Sequence, residues 1–354
     1  MGMFSLKKLY KNFSNDIAID LGTSNIMVYV RNHGIVIAEP TIVAINQKTG
    51  RVVAVGNDAK QMVGRTPAHI EAIKPMDGGV ISNFEVAEEM LTYFLRKAGE
   101  LTKNKFFRPR VIVSVPTGIT NVERRAVRDA VRNAGAREVH IVEAPMAAAL
   151  GVRLPVREPV GNMLVDVGGG TVDIAVMSLG GIVKSKNLHV AGEKLNDDLI
   201  SYVRDEFKIL LGEKTAEDVK IMIGSVYKHG APKEATIRGR DLVTGLPREV
   251  VLTDADIREA ISASMAIFID AVKEVLETTP PEVVSDIMNR GIVLVGAGAL
   301  IDGLVERLEK ELEVPIHLAE DPATAVVRGE GLILEDMEGY QDYLIDNEDE
   351  LPPH

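Results

Sequence analysis

Two short stretches hold the residue types that recognise phosphate. Asp20-Leu21-Gly22-Thr23-Ser24-Asn25 lies between the apolar runs Ile17–Ile19 and Ile26–Val30, and Asp166-Val167-Gly168-Gly169-Gly170-Thr171 lies between Met163–Val165 and Val172–Val176. Each reads as a strand ending in Asp, a tight turn of small residues and a second strand, which is the pattern of a β-hairpin. Turns of Gly, Thr and Ser leave backbone N–H groups open to solvent, and Gly accepts the positive φ that an anion-binding nest requires. Thr23, Ser24 and Thr171 add hydroxyl donors, while Asp20 and Asp166 could hold Mg²⁺ through water, because that ion takes few carboxylates and several waters. A third turn, Gly296-Ala297-Gly298-Ala299, follows the run Ile292–Val295. One such turn alone is a structural hairpin. Two at matching positions, with a third Gly-rich turn after a strand, point to phosphate binding, the turns clamping the β- and γ-phosphates of a nucleotide between them.

The elements around these turns repeat. Val111–Val115 and a Pro-Thr-Gly turn precede an amphipathic helix from about Val122 to Asn133, with Val122, Ala126, Val127, Ala130 and Val131 expected on one face. Thr120 and Glu123 have capping-box spacing for its start. Ile292–Val295 and its Gly-rich turn likewise precede a helical pattern at Leu304–Leu308. Each half therefore carries hairpin, intervening material, strand, Gly-rich turn and helix, which implies two homologous α/β domains. Further helices are expected over 84–101, 196–211, 215–228, 254–277 and 304–313. The expected organisation is a leader over 1–14, a first domain over 15–150 with an insertion at about 42–75, a second domain over 151–334 with an insertion at about 186–250, and an acidic tail over 335–354. Gly230-Ala-Pro232 and Gly245-Leu-Pro247 are expected to flank a hairpin in the second insertion.

Composition narrows the function. The chain has 354 residues, enough for two domains at about 150 each. It has no Cys, which excludes disulfides, Cys-ligated zinc and a thiol nucleophile, and its 7 His show no paired ligand spacing. The net charge of −12 argues against general nucleic-acid binding. Residues 335–354 carry eight acids and no base, and read as a solvated tail. No GxxxxGK[ST], no GxGxxG after the first strand and no GxSxG occurs, so P-loop, dinucleotide and hydrolase-elbow chemistry lack support. No apolar run reaches a membrane span or a signal-peptide core, and a cytoplasmic location is expected.

The strings NDIAIDLGTSN (15–25), VGNDAKQMVGRTP (55–67), VPTGITNVERRA (115–126), PMAAALG (145–151), VDVGGGTVDIAV (165–176), GEKTAEDVK (212–220) and TPPEVVSDI (279–287) together resemble the actin–Hsp70–sugar kinase superfamily, and within it the MreB family of bacterial actins. The resemblance runs from about Asn15 to Leu334. It implies an actin-like, ribonuclease H-like fold of duplicated domains around a nucleotide cleft, each with an inserted subdomain. It assigns Asp20, Gly22, Thr23, Ser24 and Asn25 to a first phosphate loop, Asp166, Gly168, Gly169, Gly170 and Thr171 to a second, and Gly296, Ala297, Gly298 and Ala299 to an adenosine loop. Glu217 and Lys220, on one face of a helix, would touch ribose or adenine; taken alone they read as a surface ion pair. ATP and Mg²⁺ are the implied cofactors. The family's acidic residue before Pro145, which helps position the attacking water, is Ala144 here, and Glu143 should point the other way in an extended segment. Asp166, Thr171 and Glu143 are the remaining catalytic candidates for a slow ATPase. Asn83 and Asp173 depart from the family's usual Asp and Glu.

Met3, Leu6, Leu9, Tyr10 and Phe13 fall at helical spacing opposite Lys7, Lys8 and Lys11. The segment suits an interfacial helix on an anionic leaflet, or a leader packed on its own domain. Phe106 and Phe107, flanked by Lys103, Lys105, Arg108 and Arg110, likewise suit a lipid-facing loop or a loop packed as core. The resemblance favours the membrane at both. It further implies homopolymer filaments at the inner face of the cytoplasmic membrane, a scaffold for cell-wall synthesis that maintains rod shape, and partners such as RodZ, MreC and MreD. The alternatives are a small-molecule phosphotransferase on the same fold, which would need an acceptor-side Asp base outside the phosphate loops, and a filament-forming paralogue that does not hydrolyse ATP.

Overall fold

The computed structural model describes residues 16–101, 108–228 and 230–345. The chain divides into two units, one of residues up to Leu154 and from Thr324 onward, the other of Pro155–Ala323. Each unit is built on a five-stranded sheet. In the first the order is Glu138–Glu143, Arg110–Val115, Ile17–Leu21, Asn25–Val30, Gly34–Pro40. In the second it is Gly181–Leu188, Val172–Ser178, Asn162–Val167, Ile292–Val295, Ile316–Leu318. The hairpin at the start of each unit is antiparallel, with Ile17 opposite Val30 in one and Asn162 opposite Met177 in the other. A later strand then joins the first hairpin strand in parallel, Arg110–Val115 in one unit and Ile292–Val295 in the other. The duplication visible in the sequence is thus a duplication of sheet topology, in an α/β fold.

Alternation along the strands sends side chains to two covered faces. Ile17, Ile19 and Leu21 join Val111, Val113 and Val115 in a core with Phe94 and Val127, which come from the helices Phe84–Leu101 and Asn121–Asn133. Ala18 and Ile112 occupy the opposite face, where the helices Ala144–Gly151 and Ala325–Glu335 lie. In the second unit Met163, Val165 and Val167 pack with Leu199, Phe268 and Leu308. Because both faces are covered, Val172–Met177 is buried without interruption, and its one polar residue, Asp173, is buried with the apolar ones.

The capping box of the helix Asn121–Asn133 is present: the Glu123 amide donates to Thr120 Oγ1, and the Thr120 amide donates to the Glu123 carboxylate. Of the face expected, Val127, Ala130 and Val131 are buried and Ala126 is half-buried, but Val122 is 78% exposed, and Arg124 and Arg128 join the inward positions once they bury their stems. Arg128 donates to the Ile345 carbonyl at 3.2 Å. Other expected bounds shift as well. The helix placed at 196–211 is Gly192–Phe207, the one at 215–228 is Glu213–Ile223, and the one at 254–277 breaks at Ile261 into Asp254–Ala260 and Ser262–Thr278.

The first insertion holds the three-stranded sheet of Arg51–Val55, Val43–Asn46 and Ile70–Ile73, and the second holds Ile209–Leu210, Glu234–Asp241 and Pro247–Thr253. Gly245-Leu-Pro247 does not flank the hairpin of the second insertion but forms its turn. Asp241 dictates this: its carboxylate accepts from the Val243 and Thr244 amides, each at 2.8 Å, which holds the acid down at about 2.

The helix Ala325–Glu335 joins the first unit, although the second half was expected to run to 334. Glycine explains the placement. A Cβ on Gly329 would strike the carbonyl of Ala147, and one on Gly151 would strike that of Ala325, so the two helices touch backbone to backbone. The facing residues Ala147, Ala148 and Ala149 are small enough to permit it. Among the described residues no helix is long and apolar enough to cross a membrane.

Gly329→Ala should therefore lower the urea midpoint by the equivalent of about 1–3 kcal/mol with an unchanged slope. An unchanged midpoint would show that the helix pair has room for a methyl group.

Candidate functional site

In the second unit the sequence-predicted residues converge. The turn Gly168–Thr171 closes the hairpin with the Gly168 amide donating to the Thr171 carbonyl at 2.9 Å. Thr171 Oγ1 donates to Asp173 at 3.3 Å, and Asn187 donates to the other oxygen of the same carboxylate at 2.9 Å, so buried Asp173 braces the turn from behind. The carbonyls of Gly168 and Gly169 accept from the Gly192 and Glu193 amides, at 3.3 and 2.8 Å. With the carbonyls turned toward the start of the helix Gly192–Phe207, the Gly169 and Gly170 amides meet no acceptor among the described residues. Unclaimed amides beside a helix N-terminus are the ingredients of an anion site.

The third turn sits against the second. A Cβ on Gly296, where φ is +84°, would collide with Asp166 Oδ1 and the Val167 carbonyl, and one on Gly298 would lie 2.6 Å from the Val167 side chain. Ala297 is exposed on this turn, while Ala299 is buried beneath it. Lys220, from the helix Glu213–Ile223, donates to the Gly192 carbonyl at 2.6 Å and so ties the third side of the site to the helix start. Burial pulls its ammonium down to about 8, against the opposing pull of Glu217 and Glu193. Lys220 is thus half-buried against the helix start, with Glu217 near enough to act on its charge.

In the first unit Asp20 is the penultimate residue of the strand Ile17–Leu21, and Gly22–Ser24 form the turn. Buried Thr23 accepts the Gly79 amide at 2.8 Å, Thr41 Oγ1 donates to the Gly22 carbonyl at 2.8 Å, and the Ser24 carbonyl accepts the Thr41 amide at 3.0 Å. Thr23 is thus committed to shaping the turn, and Asn25 is exposed. Asp20 keeps some surface at the strand end, but burial of its carboxyl pushes it up to about 7, opposed by Ser114. Glu330 of the helix Ala325–Glu335 is raised well above the usual carboxylate range by burial and by Asp20. Ser114 lies near enough to lower Glu330 slightly, yet neither Glu330 oxygen reaches a partner at hydrogen-bonding geometry.

Glu143 ends its strand in extended conformation, and Ala144 opens the helix Ala144–Gly151, for which no helix was expected. Met3, Leu6, Leu9, Tyr10, Phe13, Phe106 and Phe107 lie outside the described residues. Among the described residues no group of three or more His, Asp or Glu is arranged to hold a metal. Sequence reasoning missed Gly192 and Glu193, whose Ala-Gly-Glu string carries no cap signal, and Ser114 and Glu330. Glu330 stands between two glycines in a segment for which no helix was expected, so no pattern marked it.

The MreB/Mbl protein family profile matches residues 14–342. The chain belongs to the MreB/Mbl family. It is 48% identical over 342 residues to the cell shape-determining protein MreB of Escherichia coli (strain K12), covering 94% of this chain and 98% of that one. It is 44% identical over 326 residues to the cell shape-determining protein Mbl of Bacillus subtilis (strain 168), covering 92% and 97%. Among solved structures, MreB5 of Spiroplasma citri bound to ADP superposes with a TM-score of 0.87 at 36% identity, covering 92% of this chain and 97% of that one. The family membership and the actin-like fold agree with the resemblance carried by the sequence strings.

Lys220 gives a signed test. Its ammonium is easier to deprotonate folded than unfolded, so the unfolded chain binds more protons between about 8 and the ordinary lysine value, and stability rises with pH across that window. Lys220→Met should remove the rise. Denaturant melts from pH 7 to 10.5 check it, and parallel profiles for the two proteins would contradict the buried placement of Lys220.

Proposed function

We propose that this protein binds ATP with Mg²⁺ at its Gly/Thr turns, polymerises head to tail and acts as a cytoskeletal filament at the inner face of the cytoplasmic membrane, where it guides cell-wall synthesis and maintains rod shape. One observation carries the nucleotide reading: the second-unit turn offers the Gly169 and Gly170 amides beside a helix N-terminus, with Lys220 and Gly296–Ala299 closing around it. The Spiroplasma relative is bound to ADP in one structure and to AMPPNP in another, at the same TM-score of 0.87.

In this reading the Gly169 and Gly170 amides take phosphate oxygens beside the Gly192 helix start, and the Gly296–Ala299 turn supports the nucleoside. Gly22–Asn25 of the first unit form a second small-residue turn of the kind that contacts phosphate. Asp20 and Asp166 are each residues of the kind that hold a hydrated divalent ion, and Asp20, a half-buried acid pushed up to about 7, gains from a cation nearby. When bound, the ion neutralises phosphate charge. The residues suit slow hydrolysis: Ala144 brings no carboxylate to the head of its helix, and Thr171 and Asp166 are left to orient the attacking water. The leader with Met3, Leu6, Leu9, Tyr10 and Phe13, and the Phe106–Phe107 loop, are weak lipid anchors that add up along a filament. RodZ, MreC and MreD are the partners that the family resemblance suggests.

Electron microscopy of the purified chain on anionic liposomes tests this, with Mg·ATP and without nucleotide. Filaments lying on lipid only with nucleotide are expected. Gly169→Asp, which sets a carboxylate among the phosphate donors, should weaken ATP binding more than roughly tenfold and remove the filaments. Dispersed monomers under every condition would count against the cytoskeletal reading and favour a phosphotransferase.

A further inference from the structure

The nucleotide reading leaves Glu330 without a task. Its side chain is fully buried, and both carboxylate oxygens lack a hydrogen-bond partner. Such a group is costly unless something neutralises or ligates it. Tight contacts on either side hold it in place, with Gly329 pressed on the Ala147 backbone and a Cβ on Gly331 only 2.9 Å from the Tyr29 ring.

Strand register shows what it faces. Ile19 pairs in parallel with Val113, so the next residues, Asp20 and Ser114, lie side by side. Alternation puts both on the face of Ala18 and Ile112, away from the core that holds Ile19 and Val113. That face is covered by the helix Ala325–Glu335, which packs on both strands and buries Glu330 there. Two carboxylates and a hydroxyl therefore meet beneath the first Gly/Thr turn, and Asp20 keeps an opening to solvent.

We propose that Glu330, Asp20 and Ser114 form a divalent-cation seat inside the first unit, one that fills without nucleotide. Hard ions of the Mg²⁺ and Mn²⁺ type take one or two carboxylates and a neutral oxygen, which Glu330, Asp20 and Ser114 supply, and complete their shell with water. A cation turns the repulsion of two facing carboxylates in a dry site into attraction toward a shared ion. The second unit lacks the equivalent seat. There Asp166 pairs with Val295 instead of a hydroxyl residue and abuts Gly296. The duplicated fold thus carries one reinforced cation position, on the side of Glu330. This goes beyond the nucleotide reading, in which Asp20 meets an ion only through water, and it stands or fails without nucleotide.

The test is Mn²⁺ titration of the nucleotide-stripped full chain, followed by the electron paramagnetic resonance signal of the free ion. A saturable site that Mg²⁺ displaces is expected. Glu330→Gln should weaken it by roughly 10–100-fold, and Glu330→Asp, which keeps the charge one carbon shorter, should fall between. In EDTA, Glu330→Gln should melt no lower than the unaltered chain, because it removes a facing charge and keeps the shape. Absence of a saturable Mn²⁺ site in the unaltered chain would overturn the proposal and mean that the two acids share a proton. Equal Mn²⁺ affinity in Glu330→Gln would also overturn it, placing the ion elsewhere, such as on the acidic tail. ATP binding measured separately on the same variants keeps a failure here distinct from a failure of the nucleotide reading.

Discussion

Backbone contact without an intervening side chain is the constraint on which both units rest. In the second unit the turn at Gly296–Gly298 lies directly on Val167 and Gly168, and a single methyl group at either glycine would separate the two turns. The separation would also disturb the chain of contacts that runs from the Gly168 and Gly169 carbonyls to the helix start at Gly192 and on to Lys220. In the first unit the same device operates between helices, where Gly329 and Gly151 let two backbones touch. That contact places Ala325–Glu335 on the sheet and delivers Glu330 to the end of the strand that carries Asp20. Glycine here sets distances between elements, and those distances decide which polar groups meet.

The two units share a topology but differ in electrostatics. In the second, the charged groups at the turn are balanced: Lys220 lies among Glu193 and Glu217, and Asp173 is held by Thr171 and Asn187. In the first, the Asp20 and Glu330 carboxyl groups face each other, and Ser114 moderates them. Duplication supplies two similar hairpins. The residues that pack behind each hairpin, Val295 in one case and Ser114 with Glu330 in the other, then make the sites chemically different.

Much of this was legible in the sequence, for a physical reason. Hairpins with Gly/Thr turns, strands buried on both faces and a capping box are local patterns, and Asp20–Asn25, Asp166–Thr171 and the Thr120–Glu123 box all stand where those patterns put them. Gly296–Ala299 could be read because a Gly-rich turn after a strand is also local. What could not be read depended on partners distant in sequence. Val122 turns outward because Arg124 and Arg128 find packing for their stems, which a hydrophobic pattern does not anticipate. The Gly192 helix begins four residues early because the carbonyls of Gly168 and Gly169 cap it from outside. The helix Ala325–Glu335 contains Gly329 and Gly331, which argue against a helix until the close approach of Ala147 and Tyr29 is known.

The functional reading depends on the second-unit turns being a nucleotide site. A structure of the chain with AMPPNP and Mn²⁺ tests it most directly. The prediction is phosphate oxygens within hydrogen-bonding distance of the Gly169 and Gly170 amides, with the nucleoside against Gly296–Ala299. Nucleotide bound away from these turns, or none bound at saturating concentration, would contradict it.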